Sequence, residues 1–550
     1  MKKLTDFLNM LAESELRAGD NSDSADFDIP IKDITYNSLE AGEGTLFICK
    51  GAGFKEEYLK DALAKGAAAF VCEMGSKVHE ACKADAELAA VPYIVVNNMR
   101  RAISKISAFF FDRSWDKMKL IGVTGTKGKS TTTSMIKAIL DIHCGREIGF
   151  SSGIYTYDGC HKEKAYKLTT PETIELHRIL DNCVKNGCEY LAMEVSSQAL
   201  KYDRTLDLNY EACAFTNISR DHISDAEHKD MEDYFTSKLK IFTQSRIGCV
   251  NLDMDPVYME RTLAFAEQNC EKTVTFGMKK VGDRKPDVYG ISVDEKQGWL
   301  LLKAELFGKT EEFTVNIGGA YNAYNALAAI AVTASLGVPT EIIREGLETV
   351  KVMGRMETYR LKDSVDVIVD YAHNKMSYQV LFDYVKKQYP DRKIGFVFGC
   401  VGGKAFNRRK EAGEIAEKYA DFVVITELDP GMEDINKIKS IIGVSPQESA
   451  IANNLTVKEN IELKYLKKQL EENKNKLSID ALYLYFTQLG KCMYTLNNID
   501  IEDVIKGEKY DIDHIYPQSL IKDDSISNRV LVDNVKNQSV KGNKFLYQTG

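Results

Sequence analysis

Residues 122–131 read GVTGTKGKST; the apolar run MKLI precedes them and the helix-like run STTTSMIKAILDI overlaps their end. Small residues let backbone N–H groups turn inward around phosphate oxygens, and a helix N-terminus and a lysine favour negative charge there. The stretch therefore predicts a strand, a phosphate-binding loop and a helix, with a Mg²⁺ ligand at the serine. The loop residues are Gly125, Thr126, Gly128, Lys129, Ser130 and Thr131. Because Val123 stands where the strict pattern has glycine, a turn that merely caps a helix is the alternative.

The composition is that of a soluble globular protein: of 550 residues 44% are apolar and 28% charged, and the net charge is −9. This length predicts three or four domains, and the acidic balance disfavours a protein that coats nucleic acid along its length. Twelve cysteines without a CxxC pair indicate reduced thiols and a cytoplasmic location. The amphipathic start differs from a signal peptide, and no apolar run reaches the roughly 18 residues of a membrane span.

Short apolar runs that alternate with helical stretches predict an α/β protein. Residues 1–112 form a small unit with strands at GTLFICKG, AAAFVCE and VPYIVVNN. Residues 113–348 hold the loop and the strands EYLAMEV and EACAFTNI, with helices between them as a parallel sheet requires. Residues 349–440 show about three strands, whereas a complete doubly wound domain has about five or six. Polar residues 441–460 indicate a linker or seam before a last segment, 461–550.

Eight short motifs occur in the order found in Mur ligases. They are GVTGTKGKST, TTPE at 169–172, EVSSQAL at 194–200, FTNISRDHISD at 215–225, YFTSKLKIF at 234–242, YNAYNALAA at 321–329, GRME at 354–357 and VDYAH at 369–373. Over residues 1–440 the chain most resembles the MurE-type enzyme, which adds the third amino acid to UDP-N-acetylmuramoyl-dipeptide. The resemblance implies three domains: a small α/β domain for the UDP-sugar, a central P-loop ATPase domain and a Rossmann-like third domain.

The resemblance also implies the chemistry: ATP converts a carboxylate to an acyl phosphate, which an amine attacks while Lys and Mg²⁺ offset charge. Lys129 is expected to hold the β- and γ-phosphates, and Lys238 is the position that the family carbamylates. Ser130 and Glu194 are expected to bind one Mg²⁺ and His222 to help hold a second, and the modified Lys238 is a carboxylate-like metal ligand. The remaining expected contacts are Asn322 and Asn325 near adenine, Arg355 at the phosphates, Asp370 at the ribose, Thr169, Thr170, Ser197 and Arg204 at the UDP-sugar peptide, and Asn37 and Ser38 at the uridine.

Several of these residues have simpler interpretations when the family is set aside. A lone Lys238 is typical of a surface lysine, and Lys240 could be confused with it. His222 follows Arg220 and Asp221, which is typical of a loop salt-bridge cluster. A Glu at the end of an apolar strand is different, because a buried carboxylate needs partners and is more often a ligand.

The chain departs from the family pattern after residue 425. Diaminopimelate-adding enzymes carry an Asp-Asn-Pro-Arg stretch, whereas ELDPGMED places Gly431 where the arginine would stand. Without that guanidinium, no arginine at this position binds the second carboxylate of diaminopimelate. This disfavours diaminopimelate as the added amino acid and leaves lysine or another amino acid open. The later strands and a Gly-Lys-Gly-His-Glu type stretch are not found, so the third domain is predicted to be truncated.

The last segment contains LYLYFTQLGKCMYT, YDIDHIYPQSLIKDDSISNRVLV and KNQSVKGNK. It resembles the HNH nuclease domain of CRISPR type II RNA-guided effectors, which implies a ββα-metal fold that cuts phosphodiester bonds with Mg²⁺. His514 would be the general base, and Asp513 and Asn537 would hold the metal, whereas the role of Asp511 stays open. The alternative is that DIDH is a chance string on an exposed hairpin. Cys492 is solitary in this segment, so a zinc site is not expected.

Two features limit a nuclease function and suggest how the chain arose. Basic and acidic residues are about balanced in this segment, and no guide-binding domain accompanies it, so DNA binding by itself should be weak. The seam falls inside one ligase domain rather than at a domain edge, which predicts a recombined or artificial chimera. Three hypotheses remain: a ligase acting on UDP-N-acetylmuramoyl-dipeptide and an amino acid, an HNH nuclease acting on nucleic acid, and an inactive chimera.

Overall fold

The computed structural model describes residues 1–51, 53–164, 168–221, 223–224, 227–361, 365–403, 406–426, 428, 433, 442, 484, 499, 510–514 and 529–533. The chain forms two compact units, Met1–Tyr371 and Ala372–Gly550. The α/β fold class that the sequence predicts is confirmed.

The first unit begins with a small layered α/β region. Its elements are α1 (Leu4–Glu13), β1 (Arg17–Asp20), β2 (Asp33–Thr35), β3 (Thr45–Ile48), α2 (Glu56–Ala64), β4 (Ala69–Glu73), α3 (Lys77–Ala84), α4 (Ala86–Ala90), β5 (Tyr93–Val96) and α5 (Met99–Phe110). The sheet order is β1-β5-β4-β3-β2, with β1 antiparallel and the other pairs parallel. The three strands that the sequence predicts are thus confirmed. The buried face of α1 has the expected spacing, at Leu4, Phe7, Leu8 and Leu11.

A larger sheet follows and carries the phosphate loop. Its elements are β6 (Lys119–Thr124), α6 (Lys129–Cys144), β7 (Gly149–Ser151), β8 (Tyr155–Tyr157), β9 (Lys162–Lys164), α7 (Thr173–Lys185), β10 (Tyr190–Glu194), α8 (Ser197–Lys201), β11 (Tyr210–Phe215), α9 (Met231–Leu239), β12 (Ser245–Asn251), α10 (Pro256–Asn269), β13 (Lys272–Gly277), β14 (Val288–Glu295), β15 (Leu300–Leu306), β16 (Lys309–Val315), α11 (Asn322–Ser335) and α12 (Thr340–Thr349). Short 3-10 helices lie at Ser114–Lys117 and Lys240–Gln244.

The order of this sheet is β16-β15-β14-β13-β12-β11-β6-β10-β7-β8-β9. Neighbouring strands are parallel along the run β14-β13-β12-β11-β6-β10-β7. Antiparallel strands extend the sheet at both ends, β15 and β16 at one end and β8 and β9 at the other. All five residues of β10 are buried, as expected of a strand covered by helices on both faces. Helices α6 and α12 come very close, since a Cβ on Gly346 would lie 2.6 Å from the Cα of Ile139.

An open cavity of about 640 Å³ lies at the amino ends of the central parallel strands. Lys119, Tyr210 and Ser245, which line it, are the first residues of β6, β11 and β12. Charged side chains on its wall pair with each other, as Arg246 does with Glu211. The cavity therefore lies at the edge of the sheet opposite the phosphate loop.

The remaining described elements form smaller sheets. In the first unit β17 (Glu357–Leu361) and β18 (Val365–Val369) pair antiparallel. The second unit contains α13 (Lys375–Gln388), β19 (Gly395–Phe398), α14 (Asn407–Tyr419), β20 (Phe422–Ile425), β21 (Tyr510–His514) and β22 (Arg529–Asp533). Strands β19 and β20 pair in parallel, and β21 and β22 pair antiparallel. Among the described residues, no helix is both long and apolar enough to cross a membrane.

Helix α7 buries an imidazole against the start of the large sheet. The ring of His177 packs edge-on against Trp115, with 4.8 Å between the ring centroids. Its exposed fraction is zero, and within the described part of the chain neither ring nitrogen has a hydrogen-bond partner. Burial, helped by the charge of Arg113, lowers the pKa of His177 to about 3. The folded chain therefore holds this ring neutral.

We expect this imidazole to make the folded state sensitive to mild acid. Its pKa is lower in the folded chain than in the unfolded chain, so its contribution is complete above pH about 6.5 and is lost as the pH falls. When the pH is lowered from about 7.5 to about 5, the unfolding free energy of His177→Phe should fall by about 2 kcal/mol less than that of the wild type. Urea titrations followed by tryptophan fluorescence measure this, with His143→Gln on an exposed ring as the control. An unchanged pH slope in His177→Phe would contradict the prediction.

Candidate active site

The phosphate loop connects β6 to α6 and needs glycine at two positions. Gly125 and Gly128 have φ angles of 146° and 83°, which side chains on Cβ disfavour. A Cβ on Gly125 would lie 2.1 Å from Thr216 Oγ1, and one on Gly128 would lie 2.2 Å from Asn325 Oδ1. The loop is thus packed against neighbouring elements on both sides. The strand, glycine loop and helix that the sequence predicts are confirmed.

Lys129 begins helix α6 and folds back over its own loop. Its Nζ donates hydrogen bonds to the carbonyl oxygens of Gly125 at 2.9 Å and Thr126 at 3.2 Å. Burial lowers the pKa of this amine. Ser130 and Thr131 follow in the first turn and are buried. A helix of this length directs its first N–H groups and its positive dipole end at whatever the loop holds, which favours phosphate.

The neighbouring strand β11 holds the loop from the side. Asn217 accepts from the Lys127 amide through Oδ1 and donates to the Lys127 carbonyl through Nδ2, each at 2.9 Å. Thr216 Oγ1 donates to the same carbonyl at 2.8 Å. The sequence analysis missed both residues. The sequence feature that could have identified them is a pair of polar residues directly after a strand parallel to β6. In parallel sheets, ligand-binding loops follow the carboxyl ends of the strands.

Glu194 ends strand β10, which lies directly beside β6 in parallel register. It is 2% exposed, and its Oε1 accepts a hydrogen bond from the Gly153 amide at 2.8 Å. The parallel register places this carboxylate and the phosphate loop at the same edge of the sheet. Carboxylate and hydroxyl oxygens are the donors that Mg²⁺ prefers, so Glu194 and Ser130 fit the metal that the sequence predicts. Within the described residues, no three His, Cys, Asp or Glu side chains gather as a metal site.

Lys238 lies on α9 and is 1% exposed, which excludes the surface interpretation. Its Nζ donates to the Gly125 carbonyl at 2.9 Å and lies 4.7 Å from the centre of the Tyr234 ring. Burial, with the nearby charge of Lys129, lowers the pKa of Lys238 well below its usual value. Lys240 is exposed. Two lysine amines therefore share one backbone carbonyl, and two full positive charges there would repel each other.

Helix α11 braces the loop through two buried asparagines. Asn325 Nδ2 donates to Asn322 Oδ1 at 2.7 Å, and Asn322 Nδ2 donates to the Gly318 carbonyl at 2.7 Å. Thr132 of α6 donates to Asn325 Oδ1 at 3.3 Å. These contacts place both residues beside the phosphate loop.

Arg355 and Asp370 also belong to the first unit. Arg355 Nη2 donates to Ser130 Oγ at 3.4 Å, and its guanidinium lies 4.3 Å from the centre of the Tyr371 ring. Asp370 Oδ2 accepts from the Met356 amide at 3.0 Å, which fixes the turn that carries the arginine. The sequence placed Arg355 at the phosphates, and this arginine does contact the loop serine.

A group of predicted substrate residues lies around the carboxyl end of β10. Thr170 Oγ1 donates to the Glu194 carbonyl at 3.0 Å, and Arg204 pairs with Glu172 at 2.8 Å. Ser197 is 4% exposed and begins α8. Thr169 precedes Thr170 and is half-buried.

The two residues predicted for the uridine lie in the first sheet region, after β2. Asn37 Nδ2 donates to Glu40 at 2.9 Å, and the Ser38 carbonyl accepts from Lys65 Nζ at 2.8 Å. Tyr36, directly before them, donates to Glu175 of α7 and so links this region to the large sheet.

Several predicted residues lie beyond what the structure describes. His222, Gly431 and Asn537 are outside the described residues. Asp513 and His514 lie on β21, whose backbone pairs with β22 so that Asp513 faces Val530 in register. The hairpin that the HNH resemblance implies is present, and the roles of its residues stay predictions.

Three family models match the chain. Residues 123–333 match the Mur ligase middle domain, residues 354–473 the Mur ligase glutamate ligase domain, and residues 492–547 an HNH endonuclease. The second match extends past residue 440, where the sequence analysis placed the end of the ligase part. The matches bear out the predicted coexistence of ligase and HNH sequences in one chain.

Full-length relatives support the first two matches. The chain is 34% identical over 410 residues to a UDP-N-acetylmuramoyl-L-alanyl-D-glutamate–L-lysine ligase of Enterococcus faecalis, covering 74% of this chain and 77% of the relative. It is 33% identical over 410 residues to the corresponding 2,6-diaminopimelate ligase of Clostridium perfringens, covering 74% and 80%. The fold is similar to that of MurF from Acinetobacter baumannii, with a TM-score of 0.58, 18% identity and coverage of 85% and 92%.

Proposed function

The chain belongs to the Mur ligase family, and we propose that it adds an amino acid to UDP-N-acetylmuramoyl-dipeptide in peptidoglycan precursor synthesis. As a member of this family it is an ATP-dependent amide ligase. The observation that carries the proposal is the pair of amines, from half-buried Lys129 and fully buried Lys238, on the Gly125 carbonyl beside Glu194. Free cysteines throughout the described residues agree with a cytoplasmic location.

The reaction begins with activation of a carboxylate, which is a poor electrophile. Transfer of the γ-phosphoryl group of ATP to the dipeptide carboxylate gives an acyl phosphate and ADP. Lys129 offsets the charge on the moving group, together with Arg355, which contacts Ser130. The amine then attacks the acyl carbon, the new C–N bond forms, and inorganic phosphate leaves.

Mg²⁺ would neutralise phosphate charge. Ser130 and Glu194 would hold one ion, His222 would help to hold a second, and a carbamylated Lys238 would be a further metal ligand. Gly125, Thr126, Gly128 and Thr131 would complete the phosphate contacts. For the remaining ligand parts we propose Asn322, Asn325 and Asp370 for the nucleoside, Thr169, Thr170, Ser197 and Arg204 for the sugar peptide, and Asn37 and Ser38 for the uridine.

The proposed domain layout follows from the same assignments. Residues 1–112 would bind the UDP-sugar, 113–348 would bind ATP, and 349–440 would form a shortened third domain. Residues 441–460 would be the seam before the HNH segment at 461–550. The shortened domain would lower the rate of ligation more than nucleotide binding, since the third domain supplies part of the amino-acid pocket.

The amino acid itself can be tested by phosphate release. We expect release only when ATP, Mg²⁺, UDP-N-acetylmuramoyl-L-alanyl-D-glutamate and an amino acid are all present. Because Gly431 offers no guanidinium for a second carboxylate, L-lysine should exceed meso-diaminopimelate by about tenfold or more in kcat/KM. A preference for diaminopimelate would contradict the specificity argument. The absence of release with every amino acid would contradict the ligase proposal.

A second function, phosphodiester hydrolysis with Mg²⁺, is favoured by the HNH match over residues 492–547 and by the β21–β22 hairpin. In this proposal His514 activates water, and Asp513 and Asn537 hold the metal against the scissile phosphate. Nucleic acid would be the substrate of this segment alone, because the phosphate loop and Glu194 serve a different reaction.

If this second function is present, His514→Ala should lower Mg²⁺-dependent nicking of supercoiled plasmid by at least about a hundredfold. Chelation of the metal should have the same effect. Lys129→Met is the matched control, because it removes the ligase lysine and should leave nicking unchanged. Equal nicking by the wild type and His514→Ala would point to a contaminating nuclease and contradict the assignment.

A further inference from the structure

A buried histidine connects helices α8 and α9 beside the candidate substrate residues. His228 has no exposed surface; its Nε2 lies 2.9 Å from Ser197 Oγ and its Nδ1 lies 3.2 Å from Asp233 Oδ2. Asp233 also accepts from Lys201 Nζ at 2.6 Å. The Tyr234 ring packs edge-on against the imidazole, with 5.1 Å between centroids. The sequence analysis did not identify His228 or Asp233.

The protons of this chain of groups can be assigned from its chemistry. Burial alone would raise the pKa of Asp233, but hydrogen bonds from Lys201 and the Lys229 amide lower it, so this carboxylate only accepts. His228 Nδ1 must therefore carry a proton. Burial lowers the pKa of His228, which leaves the ring neutral and Nε2 without a proton. Nε2 can then only accept, and the proton between it and Ser197 comes from the serine hydroxyl.

We propose that His228 and Asp233 are positioning residues that make the Ser197 hydroxyl a fixed hydrogen-bond acceptor for an N–H group of the bound peptide. The ligand half of this inference rests on the proposed function, whereas the proton arrangement does not. A serine whose proton is held by His228 offers only lone pairs to a ligand. It therefore attracts an amide N–H and repels a carboxylate oxygen.

A second hydroxyl nearby is constrained in the same way. Thr170 Oγ1 donates its proton to the Glu194 carbonyl at 3.0 Å and accepts from the Ser196 amide at 2.9 Å. Ser196 directly precedes Ser197, so both hydroxyls lie at the carboxyl end of β10. The fully buried Thr170 thus holds the Ser196 amide in place. The peptide substrate contains amide N–H groups and carboxylates, and the acceptor hydroxyl of Ser197 would orient it with an amide group toward β10 and carboxylates away.

The tautomer of His228 tests the proton arrangement without any ligand. In nitrogen-15 NMR of histidine-labelled full chain, His228→Gln identifies the signals of His228 by their loss. We expect a neutral ring with the proton on Nδ1 and a bare Nε2. A ring protonated on Nε2, or on both nitrogens, at pH about 7 would overturn the proposal.

Calorimetric binding of UDP-N-acetylmuramoyl-L-alanyl-D-glutamate tests the ligand half. His228→Phe leaves the serine proton without its acceptor and should raise the Kd at least about tenfold. His228→Gln can place an amide oxygen near Nε2 and should stay within about threefold of the wild type. His177→Phe, which removes another fully buried imidazole, is the control and should bind as the wild type does. Binding of a nonhydrolysable ATP analogue should change by less than about twofold in all three variants.

The outcomes separate this inference from the proposed function. Equal affinity of His228→Phe and the wild type would overturn the role of His228, and so would equally weak binding by the Gln and Phe variants. A wild-type chain that does not bind the UDP-dipeptide at all would overturn the proposed substrate, and with it the ligand half. The NMR result would still decide whether Ser197 is a fixed acceptor.

Discussion

Replacing Lys129 by Met should lower ATP-dependent phosphate release by at least about a thousandfold. The methionine keeps most of the side-chain volume, so the space that the lysine stem occupies over the loop remains filled. What is lost is the positive charge that the proposed mechanism places at the transferred phosphoryl group, on the first residue of α6. Because that charge acts mainly in the transition state, kcat should fall more than KM for ATP rises. Steady-state phosphate release with saturating UDP-dipeptide measures both.

The neighbouring Lys127 provides a matched control in the same loop. Its side chain is 42% exposed and pairs with Asp221 at 3.3 Å. Lys127→Met should therefore keep activity within about fivefold of the wild type. If Lys127→Met and Lys129→Met lost activity equally, general disruption of the loop would explain the result better than a specific charge at Lys129.

Removal of the Lys238 amine should have a loss of similar size, at least about a thousandfold in kcat, and should also remove a dependence on carbon dioxide. A buried neutral amine is the form that reacts with CO₂, and the resulting carbamate carries a negative charge beside Lys129. The new N–C bond replaces an N–H bond, the proton leaves to solvent, and a neutral amine beside Lys129 becomes an anion that attracts the lysine charge. We expect wild-type activity to fall in CO₂-free buffer and to return with bicarbonate, and Lys238→Ala to remain inactive in both.

Lys240→Ala is the control for this experiment, since that lysine lies two residues away and is exposed. It should respond to bicarbonate as the wild type does. Carbon-13 bicarbonate should give a carbamate signal in the wild type and in Lys240→Ala, and none in Lys238→Ala. A Lys238→Ala variant that keeps activity within about tenfold of the wild type would contradict the assignment.

The sequence predicted the parts of the site that depend on neighbouring residues. The run from Leu120 to Ser130 specifies a buried strand, two left-handed glycines and a helix N-terminus through local chemistry alone. Strands β3, β4 and β5 of the first sheet region and β18, β19 and β20 were predicted for the same reason, since each is a short apolar run between polar turns, whereas β1 and β2 were not predicted. The HNH segment was recognised from its own local motifs, and a family match bears that out.

The features that residue types alone do not indicate depend on residues distant in sequence. Burial separates Lys238 from Lys240, and it arises from packing against a loop more than a hundred residues earlier. Thr216 and Asn217 bind the loop only because β11 lies next to β6 in the sheet. His228 and Ser197 are brought together by the packing of α8 on α9, which no periodicity in the sequence indicates. The antiparallel hairpin from β14 to β16 was also not predicted.

Because the central strands of the large sheet are parallel, their carboxyl ends all lie at one edge and their amino ends at the other. The phosphate loop and Glu194 lie at the first edge. The wide cavity at the amino ends of β6, β11 and β12 lies at the second edge, far along each strand from Gly125 and Glu194. A fluorescent reporter, an affinity tag or a crystallisation chaperone fixed there would leave the mouth of the site open to nucleotide. The same separation would allow attachment of the enzyme to a surface through the end of these strands that lies opposite its reaction centre.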